Sequence, residues 1–155
     1  MENLERILRE HPFLAGLDDK QFELLAGCAS NVVFQAGQYI FREGEPADSF
    51  YFIRHGKVLV ETYIPQKGSV VIRTRDEGEI FGWSWMVPPY KWHFDAKAVE
   101  LTRAIALDGK CLRGKCEDDH DLGYEIMRRF ALVIAERLEA TRLQLLDVYG
   151  NDPSK

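Results

Sequence analysis

The spacing of apolar residues changes twice along the chain and divides it into three parts. Near the start, Leu4, Ile7 and Leu8 recur at helical spacing until Pro12 stops them. Asp18-Asp-Lys-Gln21 then reads as a capping box opening a second helix through Phe22, Leu24 and Leu25. From about Asn31 to Asp108 the period falls to two. Runs rich in Val, Ile, Phe and Tyr occupy residues 32–34, 39–41, 50–53, 57–64, 69–73, 96–99 and 104–107, with turn signals at Ala36-Gly37, Glu43-Gly44-Glu45-Pro46, His55-Gly56, Gln66-Lys-Gly68 and Glu77-Gly78. Many short strands at close, even spacing predict an antiparallel β-roll, jelly roll or small barrel.

The last part is one long helical pattern. Met127, Ala131, Ile134, Leu138, Thr141, Leu145 and Val148 step by four and three, while Leu122, Ile126, Phe130 and Val133 form a second stripe in the first half alone. Two stripes early and one late predict a helix whose first half packs on the roll. The seam of Met127, Ile134, Leu138, Thr141, Leu145 and Val148 then meets either the roll's mouth or a partner helix, and a homodimer through it is the expectation. Arg137, Glu139 and Arg142 flank that seam.

Length and composition narrow the picture. At 155 residues the chain fits one domain, with N-terminal helices over 1–30, a roll over 31–109 and C-terminal helices over 110–150. The net charge of -5, with both signs interspersed, argues against a polyanion-binding face, so no nucleic-acid partner is expected. The start has no apolar leader core and no stretch is long enough to cross a bilayer, which predicts a cytoplasmic protein without a membrane partner. Cys28, Cys111 and Cys116 are too few and too irregular for a disulfide framework and read as buried free thiols. His11, His55, His93 and His120 are scattered, so neither a metal nor another cofactor is expected. No nucleophile–base pair or paired carboxylates can be drawn, and an enzyme is not expected.

Candidate chemistry concentrates in one place. Trp83, Trp85 and Trp92, every tryptophan of the chain, lie in a ten-residue window directly after Gly78-Glu-Ile-Phe-Gly82. A glycine turn can aim backbone N–H groups inward, and a wall of large rings suits a flat ligand. Phe81, Gly82, Trp83, Ser84, Trp85, Trp92, His93 and Phe94 are the candidate ligand-binding residues, Ser84 being also a candidate cap for a short helix. The same rings would equally serve to fill a core.

These residues carry a resemblance that covers nearly the whole chain. The run from Ala36-Gly37 through Arg-Glu-Gly44-Glu-Pro-Ala47 and Phe-Tyr51-Phe-Ile53 to Gly56-Lys-Val58 resembles the signature of the cyclic nucleotide-binding domain family. His11-Pro-Phe-Leu-Ala-Gly-Leu17 resembles that family's helical lead-in, and Gly78-Glu-Ile-Phe-Gly82 the opening of its phosphate-binding cassette. The resemblance implies a β-roll with helices at both ends, the last acting as lid or hinge over a ligand. It also implies a glutamate after the cassette glycine, on the ribose hydroxyl, and an arginine about ten residues later, on the cyclic phosphate. Here Trp83 follows Gly82, and the arginine's place falls on Trp92 or His93. Lys91, Lys97, Arg73 and Arg75 are near enough to be weighed as substitutes, but charges alternating on strands are ordinarily solvated, and each is read so.

Two functions are therefore carried forward. One is a regulatory domain that binds a small effector, nucleotide-like or flat and aromatic, and signals through its last helix to a protein partner. The other is a ligand-free, self-filled interaction or dimerisation module. Transcription factors of the resembled family carry a helix-turn-helix after the long helix, and the residues following Val148 are too few to build one, so no DNA-binding domain is expected.

Overall fold

The computed structural model describes residues 4–150. Helix α1 (Leu4–Glu10), a 3-10 turn (Pro12–Leu14) and α2 (Asp19–Ala26) precede eight strands. These are β1 (Ala29–Phe34), β2 (Tyr39–Phe41), β3 (Ser49–His55), β4 (Lys57–Ile64), β5 (Gly68–Asp76), β6 (Ile80–Phe81), β7 (Asp95–Ala98) and β8 (Thr102–Asp108). Helices α3 (Gly109–Asp118) and α4 (His120–Gly150) close the chain. The expected capping box is present: Asp18 Oδ1 accepts from Gln21 N at 2.8 Å, and Gln21 Oε1 accepts from Asp18 N at 3.0 Å.

The strands form two antiparallel four-stranded sheets, ordered β1-β8-β3-β6 and β2-β7-β4-β5, so the roll is not a closed barrel. Period-two alternation divides the apolar residues of β3 between two cores. Tyr51 and Ile53 join Phe41, Val58, Phe81, Trp92 and Ala96 between the sheets. Phe50 and Phe52 face the other way, onto a larger core with Leu8, Leu25, Leu112, Leu122, Ile126 and Phe130 of the helices. The molecule is thus three layers, sheet on sheet on helices.

One expectation about the cysteines is corrected. Cys28, just after α2, and Cys111 in α3 are joined by a disulfide across 83 residues. They are neighbours in space because β1 and β8 run side by side and deliver α2 and α3 to the same end of the sheet. No local spacing encodes that. Cys116 is a free thiol whose pKa is pushed up to about 11, first by burial and then by the Asp119 carboxylate.

Helix α4 is held at its first third. Leu122, Ile126 and Phe130 are almost wholly buried, while Arg129 donates to the carbonyls of Phe13 at 2.9 Å and Ala15 at 2.6 Å and pairs with Glu125. From Thr141 onward every residue of the helix is exposed. No helix of the described residues is long and apolar enough to cross a membrane.

Candidate functional site

The segment after β6 is shaped by close contacts. Gly82 has φ 95°, a left-handed conformation that a Cβ disfavours, and a short 3-10 turn, Ser84–Met86, follows it. Trp85 turns into the helical core, stacked on Phe50 with centroids 5.0 Å apart and edge-on to Phe130. Arg113 of α3 secures this arrangement by donating to the Trp85 carbonyl and lying 4.3 Å over the Tyr90 ring. The far end is clamped by the turn that follows β2: Gly44 N donates to Trp92 O at 2.9 Å, Trp92 N to Glu45 O at 3.0 Å, and Ala47 N to Tyr90 O at 2.7 Å. The glycine- and proline-marked turn Glu43–Pro46 is therefore the brace for Trp92.

Those contacts sort the predicted site residues. Phe81, Gly82, Trp83 and Phe94 line a cleft of about 280 Å³ beneath α4, together with Phe41, Val60 and Ile72. Trp85 and Trp92 do not line it. Trp85, 1% exposed, belongs to the helical core, a correction to its reading as a pocket wall, whereas Trp92, 4% exposed, belongs to the core between the sheets and borders a separate cleft of about 280 Å³ with Pro46, Ser49 and Tyr51. A strand end followed by an irregular turn has no period that tells which side each indole takes. His93 is exposed and stacks on Trp83 at 5.3 Å without entering the cleft. Ser84 caps nothing, and its hydroxyl is buried without a hydrogen-bond partner.

The other wall of the cleft is α4. Ile134, Leu138 and Thr141, three of the seam residues, face the aromatic side chains across it, whereas Met127, Leu145 and Val148 stay outside. A second cleft, of about 440 Å³, lies on the opposite side of Arg137, between the His11–Phe13 turn, Gly78–Ile80 and the inner face of α4. Arg73, Arg75 and Arg137 line both clefts. Arg73 and Arg75 are thus not the solvated strand charges expected: two residues apart on β5, they fall on the one face that α4 covers. Lys91 is exposed, and Lys97 reaches over Tyr39 with 5.4 Å between Nζ and the ring centroid. Neither lines either of these two clefts.

Electrostatics at the junction are unusual for a surface. Arg137 Nη2 donates to Ile80 O at 3.0 Å, and burial, reinforced by the charges of Arg75 and Arg73, brings its pKa down to about 9. Burial also lowers Arg73, with Arg75 adding to the effect. Arg75 pairs with Glu79 at 2.8 Å. Arg137 was legible in sequence only as a charge flanking the seam. Its place one turn from both Ile134 and Thr141 was the available signal.

The profile of the cyclic nucleotide-binding domain family matches residues 31–119, the roll from the third residue of β1 onward together with α3. The chain belongs to that family. A CRP-like cAMP-activated global transcriptional regulator of Mycobacterium tuberculosis is 26% identical over 149 residues, 96% of this chain and 65% of the relative. The chain therefore spans just under two-thirds of that relative's length. A Geobacter metallireducens structure described as a cyclic nucleotide-binding protein superposes with a TM-score of 0.79 at 28% identity, covering 89% of this chain and 99% of that one. The regulatory domain of Toxoplasma gondii PKA, crystallised with cAMP, superposes with a TM-score of 0.65 at 20% identity, over 80% of this chain and 48% of that one, a likeness of fold. In this cyclic nucleotide-binding domain, Gly78–Ile80 face α4 across the larger cleft and Phe81–Gly82 face it across the smaller one. Among the described residues, no three His, Cys, Asp or Glu side chains converge as metal ligands.

Proposed function

We propose that this cyclic nucleotide-binding domain is a regulatory sensor of a small effector other than cyclic AMP or cyclic GMP, bound between Trp83 and α4 and signalling through that helix to a protein partner. One observation carries the reading. The cleft has one wall on the roll, Phe81 to Trp83 with Phe94, and the other on α4, Ile134, Leu138 and Thr141. An occupant touching both walls binds with an affinity that depends on where the helix lies, which is the thermodynamic requirement for a sensor. The altered cassette supports a changed ligand: Trp83 and Trp92 or His93 stand where the glutamate and arginine are expected. Removing one partner of a desolvated arginine–phosphate pair costs about 2–5 kcal/mol, so cyclic nucleotides bind with dissociation constants of about 0.1 mM or weaker.

Trp83 emission tests this, because the other two indoles are buried away from the cleft. Titrations with cyclic AMP, cyclic GMP and then nicotinamide, flavin and purine metabolites should find a compound that quenches saturably in the wild type and not in Trp83→Phe. Saturable quenching by cyclic AMP at low micromolar concentration overturns the altered-ligand reading. A second reading, the self-filled interaction module, is favoured by the Trp92 indole packed into the roll on Phe41. It predicts emission that no ligand moves.

The exposed seam beyond the cleft supports a homodimer through α4. Leu145 is 55% and Val148 68% exposed.

A further inference from the structure

The cleft beneath α4 holds a charge imbalance that its own side chains do not resolve. Arg73 and Arg75 approach from β5 and Arg137 from α4, and all three border both clefts at their junction. The nearby carboxylates are Glu79, occupied by Arg75 at 2.8 Å, and Glu136, on an exposed position of the helix. Two guanidinium nitrogens, Arg75 Nε and Arg137 Nε, are buried without a hydrogen-bond partner among the described residues. The remaining contacts of the cluster go to backbone: Arg137 Nη2 to Ile80 O, and Arg73 Nη2 3.5 Å from Arg137 O. Carbonyls orient a guanidinium but do not neutralise it.

Placing cations side by side out of water is unfavourable unless an anion joins them. Guanidinium is also the group suited to such an anion, since its planar fork presents paired N–H donors to carboxylate or phosphate oxygens. From this juxtaposition we propose that Arg73, Arg75 and Arg137 form an anion site. Its ligand is an organic anion whose terminal phosphate monoester or carboxylate, unlike the diester of a cyclic nucleotide, lies among the three guanidiniums while a flat apolar body rests in the aromatic cleft against Trp83 and Phe94. The inference rests on the reading of that cleft as the effector site and gives it a substrate class.

The site differs from the one the resemblance implies. The implied arginine position is held by Trp92, packed into the core, or by exposed His93, whereas the three arginines stand on the α4 side of the cleft. Because two come from the roll and one from the helix, the bound anion is itself the bridge between the two. Its departure leaves like charges facing one another across the hinge.

Calorimetric titration with 2-naphthyl phosphate, 2-naphthoate and uncharged 2-naphthylmethanol tests the assignment on the wild type, Arg137→Gln, Arg137→Lys and the double variant Arg73→Gln/Arg75→Gln. At least one anion should bind about tenfold or more tightly than the alcohol in the wild type, and Arg137→Gln should erase that advantage. Arg137→Lys should keep part of it. A preference between the two anions assigns phosphate or carboxylate, and either supports the site. Inorganic phosphate should raise the melting temperature of the wild type above that in sodium chloride of equal ionic strength, and not that of the double variant. Equal affinities for anion and alcohol overturn the anion site. If both still weaken in Trp83→Ala, the effector cleft stands without it. If no probe binds and phosphate leaves melting unchanged, the anion site and the cleft reading fall together.

Discussion

Trp92 lies across Gly82. A Cβ at the glycine would meet the indole Cη2 at 2.9 Å, and the same indole stacks on Phe41 with 3.7 Å between centroids and 8° between planes. The cassette backbone and the roll's inner core are therefore packed as one unit, which fixes the inner wall of the cleft.

Truncating that unit should be costly. Trp92→Ala removes a nearly buried indole and is expected to destabilise the fold by about 3–5 kcal/mol, read as a lower urea midpoint with an unchanged slope. Gly82→Ala should also destabilise, because the new methyl must displace the indole and adopt a left-handed backbone. A Trp92→Ala variant as stable as the wild type would mean that the indole is not part of the core.

The late seam of α4 should govern assembly. The wild type is expected to sediment as a dimer at micromolar concentration, and Leu145→Glu as a folded monomer, since it sets a carboxylate in an apolar interface. Leu145 does not border the cleft, so this variant separates assembly from ligand binding in a way that Leu138→Glu cannot. A monomeric wild type across that range removes the proposed interface.

The Cys28–Cys111 link gives a chemical test. Non-reducing peptide mapping should recover this pair joined, and Cys111→Ser should cost about 4–5 kcal/mol, given a sequence separation of 83. Cys116 should resist iodoacetamide at neutral pH in the native protein, because a thiol with a pKa of about 11 is almost wholly protonated there. Rapid native alkylation of Cys116, or recovery of Cys28 as a free thiol, contradicts the assignment.

A pH dependence follows from His11. Its Nδ1 accepts from Phe13 N at 3.2 Å, its ring packs on Phe52 at 4.5 Å, and burial holds its pKa below the ordinary 6.5. The unfolded chain takes up a proton near pH 6.5 that the folded one refuses. Stability from this residue is thus present above 6.5 and lost as pH falls from there through the lower folded value. The urea midpoint should drop between pH 7.5 and 5.5, and His11→Asn, which keeps a capping acceptor, should flatten the drop. Equal pH slopes for the two proteins would assign the effect elsewhere.

What could be read from sequence was what depends on near neighbours. The capping box at Asp18 and Gln21, the seven longer strands and the two stripes of α4 are local patterns, and each describes a face before its partner is known. β6 is only two residues long, too short for any alternation to declare it. Trp83, Trp85 and Trp92 could be located but not oriented, because a 3-10 turn and the Pro88-Pro89 pair interrupt the period between them. The disulfide and the Arg73, Arg75 and Arg137 cluster are products of strand order and of where α4 crosses the roll. Spacing puts Arg73 and Arg75 on one face of β5 and Arg137 beside the seam, but the two elements that meet, and the two cysteines that join, are tens of residues apart, so their pairing left no local pattern.

If α4 pivots about its buried first third, it is a lever, with the Arg137 contacts to Ile80 and Arg73 two turns beyond the fulcrum as the ties that must yield or follow. From Phe130, the last of its buried residues, to Gly150 is 20 residues, about 30 Å of rod at 1.5 Å per residue. A tilt of about 10° at that fulcrum would carry the far end sideways through roughly 5 Å. A displacement too small to unpack Phe130 or break the Arg129 contacts would thereby be enlarged into a sideways shift at whatever surface meets Leu145 and Val148.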